Sequence, residues 1–344
     1  MKIAQISSIY QYTPSQLYGS AQGIVHSLSS YLAENGHDIT IFGLKNPDIS
    51  YHENIKFVSL FPSIVHNGLY SRIPQIVHFN HSILEIFKEN FDVIHNHIVT
   101  PGLFEGSLIS LLKPKFLTTL HNNPPFSTRG DIIYQKILSN SVCVAISNNQ
   151  KNLLETNLNI KGVVHNGIDP LYYTYSQEKE DFLLCLGALA YWKGTHIAVK
   201  VAQETNTELI IAGPIQDLEY FNNRIKPHLS SSIKYVGLIS EIEKKDLLSK
   251  CKSLIFPVLA EEPFGVVALE ALASGSPVLT FNKGALSEII SNGKTGYVCT
   301  SYSEMVEKCN HLSLIHPNVC RKEIINKFSS ESMSQQYDLL YKTL

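Results

Sequence analysis

The chain has 344 residues, of which 44% are hydrophobic and 17% are charged, and its formal net charge is −2 at pH 7. This length predicts two domains of ordinary size, each able to bury its own core. Because the net charge is close to zero, the chain as a whole has no positive electrostatic field that would attract nucleic acid or an anionic membrane. Local groups therefore have to hold any anionic ligand.

The cysteine pattern and the lack of membrane segments indicate the compartment. Six cysteines occur without a close pair, which predicts reduced, mostly buried thiols and not a disulfide framework or a zinc site. The N-terminus passes directly into an apolar strand without a signal-peptide pattern. No apolar run approaches the ~20 residues that a membrane-spanning helix needs. We therefore expect a cytoplasmic protein.

In the first half of the chain, short apolar runs alternate with helix-length amphipathic segments, which predicts strand–helix–strand units around a parallel sheet. The clearest helix runs from Ala21 to Asn35 and ends at Gly36, a typical C-terminal cap. The predicted strands are Lys2–Ser7, Asp38–Phe42, Ile55–Leu60, Asp92–His95, Phe116–Leu120, Val142–Ile146 and Gly162–His165.

The same alternation restarts in the second half. Ser240 followed by Glu243 predicts a capping box that opens a helix ending near Lys250. The predicted strands are Phe182–Leu186, Leu209–Ala212, Ile233–Val236, Ser253–Phe256, Val278–Thr280 and Gly296–Val298.

These patterns predict an α/β protein of two Rossmann-like, doubly wound domains that face each other across a cleft. Ligands of such sheets bind beyond the carboxyl ends of the strands. We expect a first domain over residues 1–168 and a second over residues 182–327. Between them, residues 169–181 are polar and lack periodicity, which is typical of a linker. Residues 328–344 form a terminal helix.

The segment from Phe256 to Val278 carries the most chemical information. It is a predicted strand, a loop, a helix that starts near Gly265, and a second strand. A glycine at a helix start lets unpaired backbone N–H groups meet an anion. Glu262 in the loop and Glu270 in the helix could accept hydrogen bonds from two polyols beside a phosphate. The alternative is a capped helix with two solvated glutamates.

This string resembles the signature of glycosyltransferase family 4, with two glutamates separated by seven residues, Phe-Gly after the first and Ala-Leu-Ala-Ser-Gly-Ser-Pro-Val after the second. The family has the GT-B fold of two Rossmann-like domains. The resemblance implies that Glu262 contacts hydroxyls of the donor sugar and Glu270 those of the ribose. Backbone at Gly265 and Val266 would meet the diphosphate.

A second loop resembles the family's Gly-Arg-x-x-x-x-Lys-Gly element, in which both cations face the diphosphate. Lys193 matches the lysine, but Ala188 occupies the arginine position. One charge that would balance the departing diphosphate is therefore missing. Either Lys283 or Arg129 replaces it, or activity is lower than in other members.

The first domain carries two further resemblances. Gly19 and Ser20 precede the first helix and resemble the family's glycine loop, whose backbone lies against the donor phosphates. His121 follows a strand in a Thr-x-His-Asn element, and the family's histidine there lies beside the donor sugar. His95 and His97 share one strand face, so metal binding is conceivable, although we favour a structural or acceptor-side role.

The resemblance implies a retaining, metal-independent transfer of a hexose-type sugar from a nucleoside-diphosphate sugar to a saccharide or small-molecule acceptor. No cofactor, no nucleic acid and at most peripheral membrane contact are expected. In this family the terminal helix packs on the first domain. The predicted catalytic residues are Glu262, Lys193 and His121, and the donor-binding set adds Gly19, Ser20, Gly265, Val266 and Glu270.

Three alternatives remain open. The same architecture serves nucleotide-sugar epimerases and glycosyl phosphorylases, and the latter need a lysine bound to pyridoxal phosphate. A two-lobed sugar-binding protein is a non-enzymatic alternative. A pseudo-enzyme that binds the donor without turnover would be compatible with Ala188.

Overall fold

The computed structural model describes residues 1–15, 20–65, 72–99, 109, 115–124, 140–155 and 158–344, with the backbone alone at 20 and 72. The chain divides into two compact units. The first is Met1–Gly167 together with Ser330–Leu344, and the second is Ile168–Ser329. Each unit is built around its own parallel sheet.

The first unit contains a seven-stranded parallel sheet. Its strands are β1 (Lys2–Ile6), β3 (Asp38–Phe42), β5 (Ile55–Val58), β6 (Val93–Asn96), β7 (Phe116–Thr119), β8 (Val142–Ala145) and β9 (Asn159–Val163). The strand order is β5-β3-β1-β6-β7-β8-β9, so the direction of winding changes between β1 and β6. A separate pair is formed by β2 (Tyr12–Thr13) and β4 (Leu44–Lys45).

Helices of this unit cover the sheet because the strands are apolar runs that need burial on both faces. Those described are α1 (Ser20–Glu34), α2 (Arg72–Lys88) and α3 (Asn148–Leu154), together with a C-terminal helix over Ser330–Thr343. Gly36 has φ +80° just after α1, which fits the predicted glycine cap.

The second unit contains a six-stranded parallel sheet at the positions predicted from the sequence. Its strands are β10 (Glu180–Leu186), β11 (Glu208–Ala212), β12 (Ile233–Tyr235), β13 (Cys251–Phe256), β14 (Val278–Phe281) and β15 (Gly296–Cys299). The order is β12-β11-β10-β13-β14-β15. The helices are α4 (Thr195–Thr205), α5 (Leu218–Tyr220), α6 (Glu241–Lys250), α7 (Val266–Ala273), α8 (Leu286–Ile289), α9 (Tyr302–Cys309) and α10 (Pro317–Lys327).

The C-terminal helix, α11 (Ser330–Thr343), belongs to the first unit. Its residues Met333, Tyr337 and Tyr341 are buried in one cluster with Leu28 and Leu32 of α1. The apolar positions recur at helical spacing, so they lie on one face, and that face is core.

Local signals at the element ends have their expected geometry. The Ser240 hydroxyl accepts a hydrogen bond from the backbone N–H of Glu243 at 3.3 Å, and the Glu243 carboxylate accepts one from the Ser240 N–H at 2.8 Å. This confirms the predicted capping box at the start of α6. The six cysteines are free and buried, as predicted. Among the described helices, none combines the length and apolar character that crossing a bilayer requires.

Candidate active site

The N-terminus of α7 is an open donor site for an anion. Gly265 precedes it with φ 95° and ψ 56°, a left-handed conformation that favours glycine. A Cβ at this position would lie 2.9 Å from Leu286 Cδ2 and 3.5 Å from Glu262 Cγ, so the space is already filled. Within the described part of the chain, no side chain caps this helix. Its first backbone N–H groups, including that of Val266, can therefore bind a negatively charged group.

Glu262 and Lys193, far apart in sequence, form an ion pair in front of this helix. Lys193 Nζ lies 2.7 Å from Glu262 Oε2, and the two side chains are 27% and 15% exposed. Lys193 Nζ also lies 5.4 Å from the centre of the Phe256 ring. The second carboxylate oxygen, Oε1, has no hydrogen-bond partner among the described residues. A cation and a free carboxylate oxygen are thus placed side by side.

A tight approach between two loops sets the position of Lys193. The residue ends a short 3₁₀ turn after β10, and Gly194 follows with φ +72°. A Cβ on Gly194 would lie 2.0 Å from the carbonyl oxygen of Pro257, which only glycine avoids. The N–H of Leu259 donates to the carbonyl of Trp192 at 2.8 Å. The lysine loop is therefore fixed to the loop that carries Glu262.

A third loop supports Glu262 from behind. A Cβ on Gly284, which has φ +61°, would lie 2.0 Å from the Glu262 carbonyl oxygen. The N–H of Ala285 donates to that same oxygen at 2.9 Å, and the N–H of Gly284 donates to Glu261 Oε2 at 2.8 Å. Residue patterns along the chain do not predict this support, because the contact depends on two segments meeting in space.

Glu270 lies on α7 in a polar pocket that the sequence did not predict. Its Oε1 atom accepts hydrogen bonds from the Tyr173 hydroxyl and from Lys244 Nζ, each at 3.0 Å. Lys244 Nζ is also 2.7 Å from Glu241 Oε1. Burial lowers the pKa of Lys244, but the carboxylates of Glu270 and Glu241 outweigh it and hold that pKa above its ordinary value.

These contacts leave one face of Glu270 available. Burial, followed by the charge of Glu270, raises the pKa of Tyr173 well above its ordinary value, so the hydroxyl stays protonated and donates. The Glu270 side chain is 13% exposed, and its Oε2 atom has no partner among residues that the structure describes. Tyr173 and Lys244 therefore orient a carboxylate that can still accept a hydrogen bond. Tyr173 lies in a segment expected to be a linker, so no sequence signal pointed to it.

Ala188 occupies the position at which the family's loop carries an arginine, so this position supplies no positive charge. Ala188 follows Gly187 in the loop after β10. Lys283, one predicted replacement, is 43% exposed, and its Nζ is 4.0 Å from Glu261 Oε1 on the loop that carries Glu262. The other, Arg129, lies outside the described residues.

In the first unit, the structure places His121 two residues after the end of β7. Its Nε2 atom is 2.9 Å from His97 Nδ1. Burial lowers the pKa of His121 to about 4, so the imidazole is neutral near pH 7. Gly19 lies outside the described residues, and Ser20 is described as the first residue of α1 without its side chain.

The conceivable metal site at His95 and His97 is occupied by protein contacts. His95 Nδ1 is 2.5 Å from the Tyr341 hydroxyl, and His95 Nε2 is 2.7 Å from Thr119 Oγ1. Over the described ranges, no group of three or more His, Cys, Asp or Glu side chains is arranged to hold a metal ion. A structural or acceptor-side role for the two histidines stays a prediction.

The two sheets define the class of protein. Two parallel-sheet, Rossmann-like α/β units make up the GT-B architecture of glycosyltransferases, and solved structures share it over the whole chain. AviGT4, a glycosyltransferase involved in avilamycin A biosynthesis, aligns with a TM-score of 0.71 and 21% identity over 100% of this chain and 97% of its own. Anabaena HepE, solved in complex with UDP, aligns with a TM-score of 0.74 and 16% identity over 100% of both chains.

Sequence comparison identifies the family. The model described as "Glycosyltransferase Family 4" matches residues 21–171, and that described as "Glycosyl transferases group 1" matches residues 174–317. An uncharacterised glycosyltransferase of Methanocaldococcus jannaschii is 26% identical over 315 residues, 86% of this chain and 88% of its own length. The N-acetyl-alpha-D-glucosaminyl L-malate synthase of Bacillus anthracis is 24% identical over 91% of both chains. The chain belongs to the GT4-type glycosyltransferases.

Proposed function

We propose that the protein transfers a hexose-type sugar from a nucleoside-diphosphate sugar to a hydroxyl of a saccharide or small metabolite, with retention and without a metal ion. The observation that carries this proposal is the Lys193–Glu262 ion pair at 2.7 Å in front of the uncapped N-terminus of α7. Cation, helix dipole and carboxylate are the groups that a sugar diphosphate requires.

Binding of the donor would exchange the partners of this pair. The diphosphate takes Lys193 and the first N–H groups of α7, while Glu262 turns its oxygens to the hydroxyls of the sugar. Charge develops on the diphosphate as the glycosidic bond breaks, and preorganised donors stabilise that charge without reorganisation. Glu270, held by Tyr173 and Lys244 at 3.0 Å, accepts from the ribose hydroxyls through Oε2.

The acceptor hydroxyl attacks on the face from which the diphosphate leaves, and a diphosphate oxygen takes its proton. This geometry gives retention. Lys193 and α7 supply the positive charge that a metal supplies in other transferases, which is why we propose metal independence. His121 is proposed to contact the donor sugar, and residues 1–168 to form the acceptor side.

A donor-binding protein without turnover is the second candidate, because Ala188 leaves one cation missing. Its test is Ala188→Arg, which adds the charge that the other members carry. A rise in kcat with little change in nucleotide affinity would show that the missing charge limits turnover. Lys283→Met would lower kcat if Lys283 replaces that cation, and would leave it unchanged otherwise.

The decisive experiment is a thermal-shift panel of UDP, GDP, ADP and dTDP with their sugar conjugates. UDP comes first, since HepE was solved with UDP and with UDP-glucose. A ligand at 100 times its dissociation constant stabilises the fold by about 2.7 kcal/mol. Stabilisation by one nucleotide family in the wild type and not in Glu270→Ala would support the donor site. No shift across the panel with a folded protein would refute it.

Transfer itself is then measured with the stabilising donor. NMR of the product reads the anomeric configuration, and the same assay with EDTA tests metal independence. An inverted product, or activity lost in EDTA and restored by a divalent cation, would overturn those parts of the proposal. The six buried free cysteines agree with action in the cytoplasm, which is reducing.

A further inference from the structure

A continuous line of hydrogen bonds, which we call the relay, runs from His121 across the sheet of the first unit to the C-terminal helix, and all but its His97–His121 bond are buried. Gln5 of β1 pairs in register with His95 of β6, and Asn96 pairs with Thr118 of β7. Side chains alternate between the two faces of a strand, so Gln5, His95 and His97 share one face. Each of these three side chains is at least 94% buried, so their polar atoms depend on one another for hydrogen bonds.

Gln5 sets the direction of the hydrogen bonds on the His121 side. Its amide oxygen lies 2.7 Å from His97 Nε2. A carbonyl oxygen only accepts, so His97 Nε2 carries the hydrogen. In a neutral imidazole, His97 Nδ1 is then the acceptor, and His121 Nε2 donates to it at 2.9 Å. The remaining ring nitrogen of His121, Nδ1, carries a lone pair.

The order of hydrogen-bond donors and acceptors can also be followed from Gln5 towards α11. Gln5 Nε2 donates to the Tyr341 hydroxyl at 3.3 Å, and that hydroxyl donates to His95 Nδ1 at 2.5 Å. His95 Nε2 then donates to Thr119 Oγ1 at 2.7 Å. In the reverse direction the 3.3 Å contact would be an O–H···O bond, which is ~0.3 Å beyond the usual range of hydroxyl donors, whereas it is only ~0.1 Å beyond that of N–H donors. The distances therefore favour the order with Gln5 Nε2 as the donor.

All three histidines of the line are neutral near pH 7. Burial lowers the pKa of His95 and His97 well below the ordinary value, and that of His121 to about 4. A neutral imidazole has one donor and one acceptor nitrogen, so fixing one nitrogen fixes the other. A doubly protonated histidine would break the order, and burial prevents it.

We propose that this relay fixes His121 in the tautomer with Nδ1 as a hydrogen-bond acceptor, and that Tyr341 of α11 is a positioning residue for the transfer reaction. The inference rests on the proposed function, in which His121 contacts the donor sugar. In this tautomer, His121 Nδ1 accepts a hydrogen bond from a sugar hydroxyl. In the other tautomer, Nδ1 would carry a hydrogen and could only donate to the oxygen of that hydroxyl. Tyr341 acts through Gln5 and His97 and touches no substrate.

The test begins with the wild type labelled with ¹⁵N in its histidines. Long-range ¹H–¹⁵N NMR distinguishes the two neutral tautomers, and His121→Gln assigns the signal. We expect a single His121 tautomer protonated on Nε2. A His121 protonated on Nδ1, or an equal mixture of tautomers, overturns the proposal without any need for a variant that might misfold.

The second arm is Tyr341→Phe, which removes one hydroxyl from the line and keeps the ring. We expect mixed His121 tautomers and a kcat about tenfold lower, with little change in KM for the donor. The matched control is Tyr31→Phe on α1, a tyrosine packed against the same core whose hydroxyl takes no part in the relay. It should leave both readouts unchanged.

The outcomes separate this inference from the proposed function. An unchanged His121 signal in Tyr341→Phe overturns the relay. Mixed tautomers with an unchanged kcat overturn the positioning role of Tyr341. A wild type that shows the expected tautomer but transfers no sugar refutes the proposed function, while the relay as a structural device stands.

Discussion

Replacement of Lys193 by methionine tests the chemistry most directly. Methionine keeps an unbranched stem of similar length, so packing near Phe256 is preserved while the charge is lost. The same substitution breaks the 2.7 Å ion pair with Glu262. Two effects, on stability and on catalysis, can therefore be separated.

The stability effect follows from the exposure of the pair. The side chains of Lys193 and Glu262 are 27% and 15% exposed, between a surface pair and a buried one. Surface pairs contribute about 0–1 kcal/mol, and breaking a buried pair costs about 3–5 kcal/mol. We expect the free energy of unfolding to fall by about 1–2 kcal/mol in Lys193→Met, measured by urea denaturation without ligand.

The catalytic effect is larger. Removing one preorganised donor to a developing oxyanion lowers kcat by about 10²–10³-fold, or about 3–4 kcal/mol. We expect that loss in kcat/KM for the nucleotide sugar. The matched control is Lys252→Met, because Lys252 is 24% exposed and forms a 2.7 Å pair with Asp181 at the start of β13, the end of the strand opposite Phe256. Activity of Lys193→Met within threefold of the wild type would refute the role of Lys193.

Three further predictions concern support of the site, the fold and pH. Gly284→Ala forces a Cβ to 2.0 Å from the Glu262 carbonyl oxygen, so we expect at least tenfold weaker nucleotide binding by calorimetry; unaltered binding would contradict this. Ser240→Ala removes the N-cap of α6 and should lower the unfolding free energy by about 1 kcal/mol, with transfer activity unchanged. The pKa of His121, near 4 when folded, is below the unfolded value of ~6.5, so the unfolded state binds more protons between these values. Stability should therefore decline as pH falls from about 6.5 to about 4, and urea midpoints should decline less steeply in His121→Gln.

Several features of this protein followed from short-range patterns. The capping box at Ser240 needs only a serine, a glutamate three residues later and a helix, so it formed as predicted. The six strands of the second unit could be predicted because each is an apolar run bounded by turn residues. The helix after Gly265 also lies where the residue pattern placed it.

Contacts between distant segments could not be predicted in this way. Tyr173 and Lys244 reach Glu270 only because three separate elements pack together, and Tyr173 comes from a stretch without periodicity. The pairing of His95 and His97 on one face was visible in the sequence. Their partners were not, since Tyr341 comes from the last helix.

The sequence by itself determined the fold class, the identity of the motif residues and their local positions, because hydrophobic periodicity and capping act over a few residues. Only the tertiary structure decided which charges meet. Lys193 pairs with Glu262, and Gly284 packs against the Glu262 backbone, because loops at the carboxyl ends of neighbouring strands converge at one edge of a parallel sheet. Convergence of this kind depends on strand order, which residue patterns along the chain do not specify.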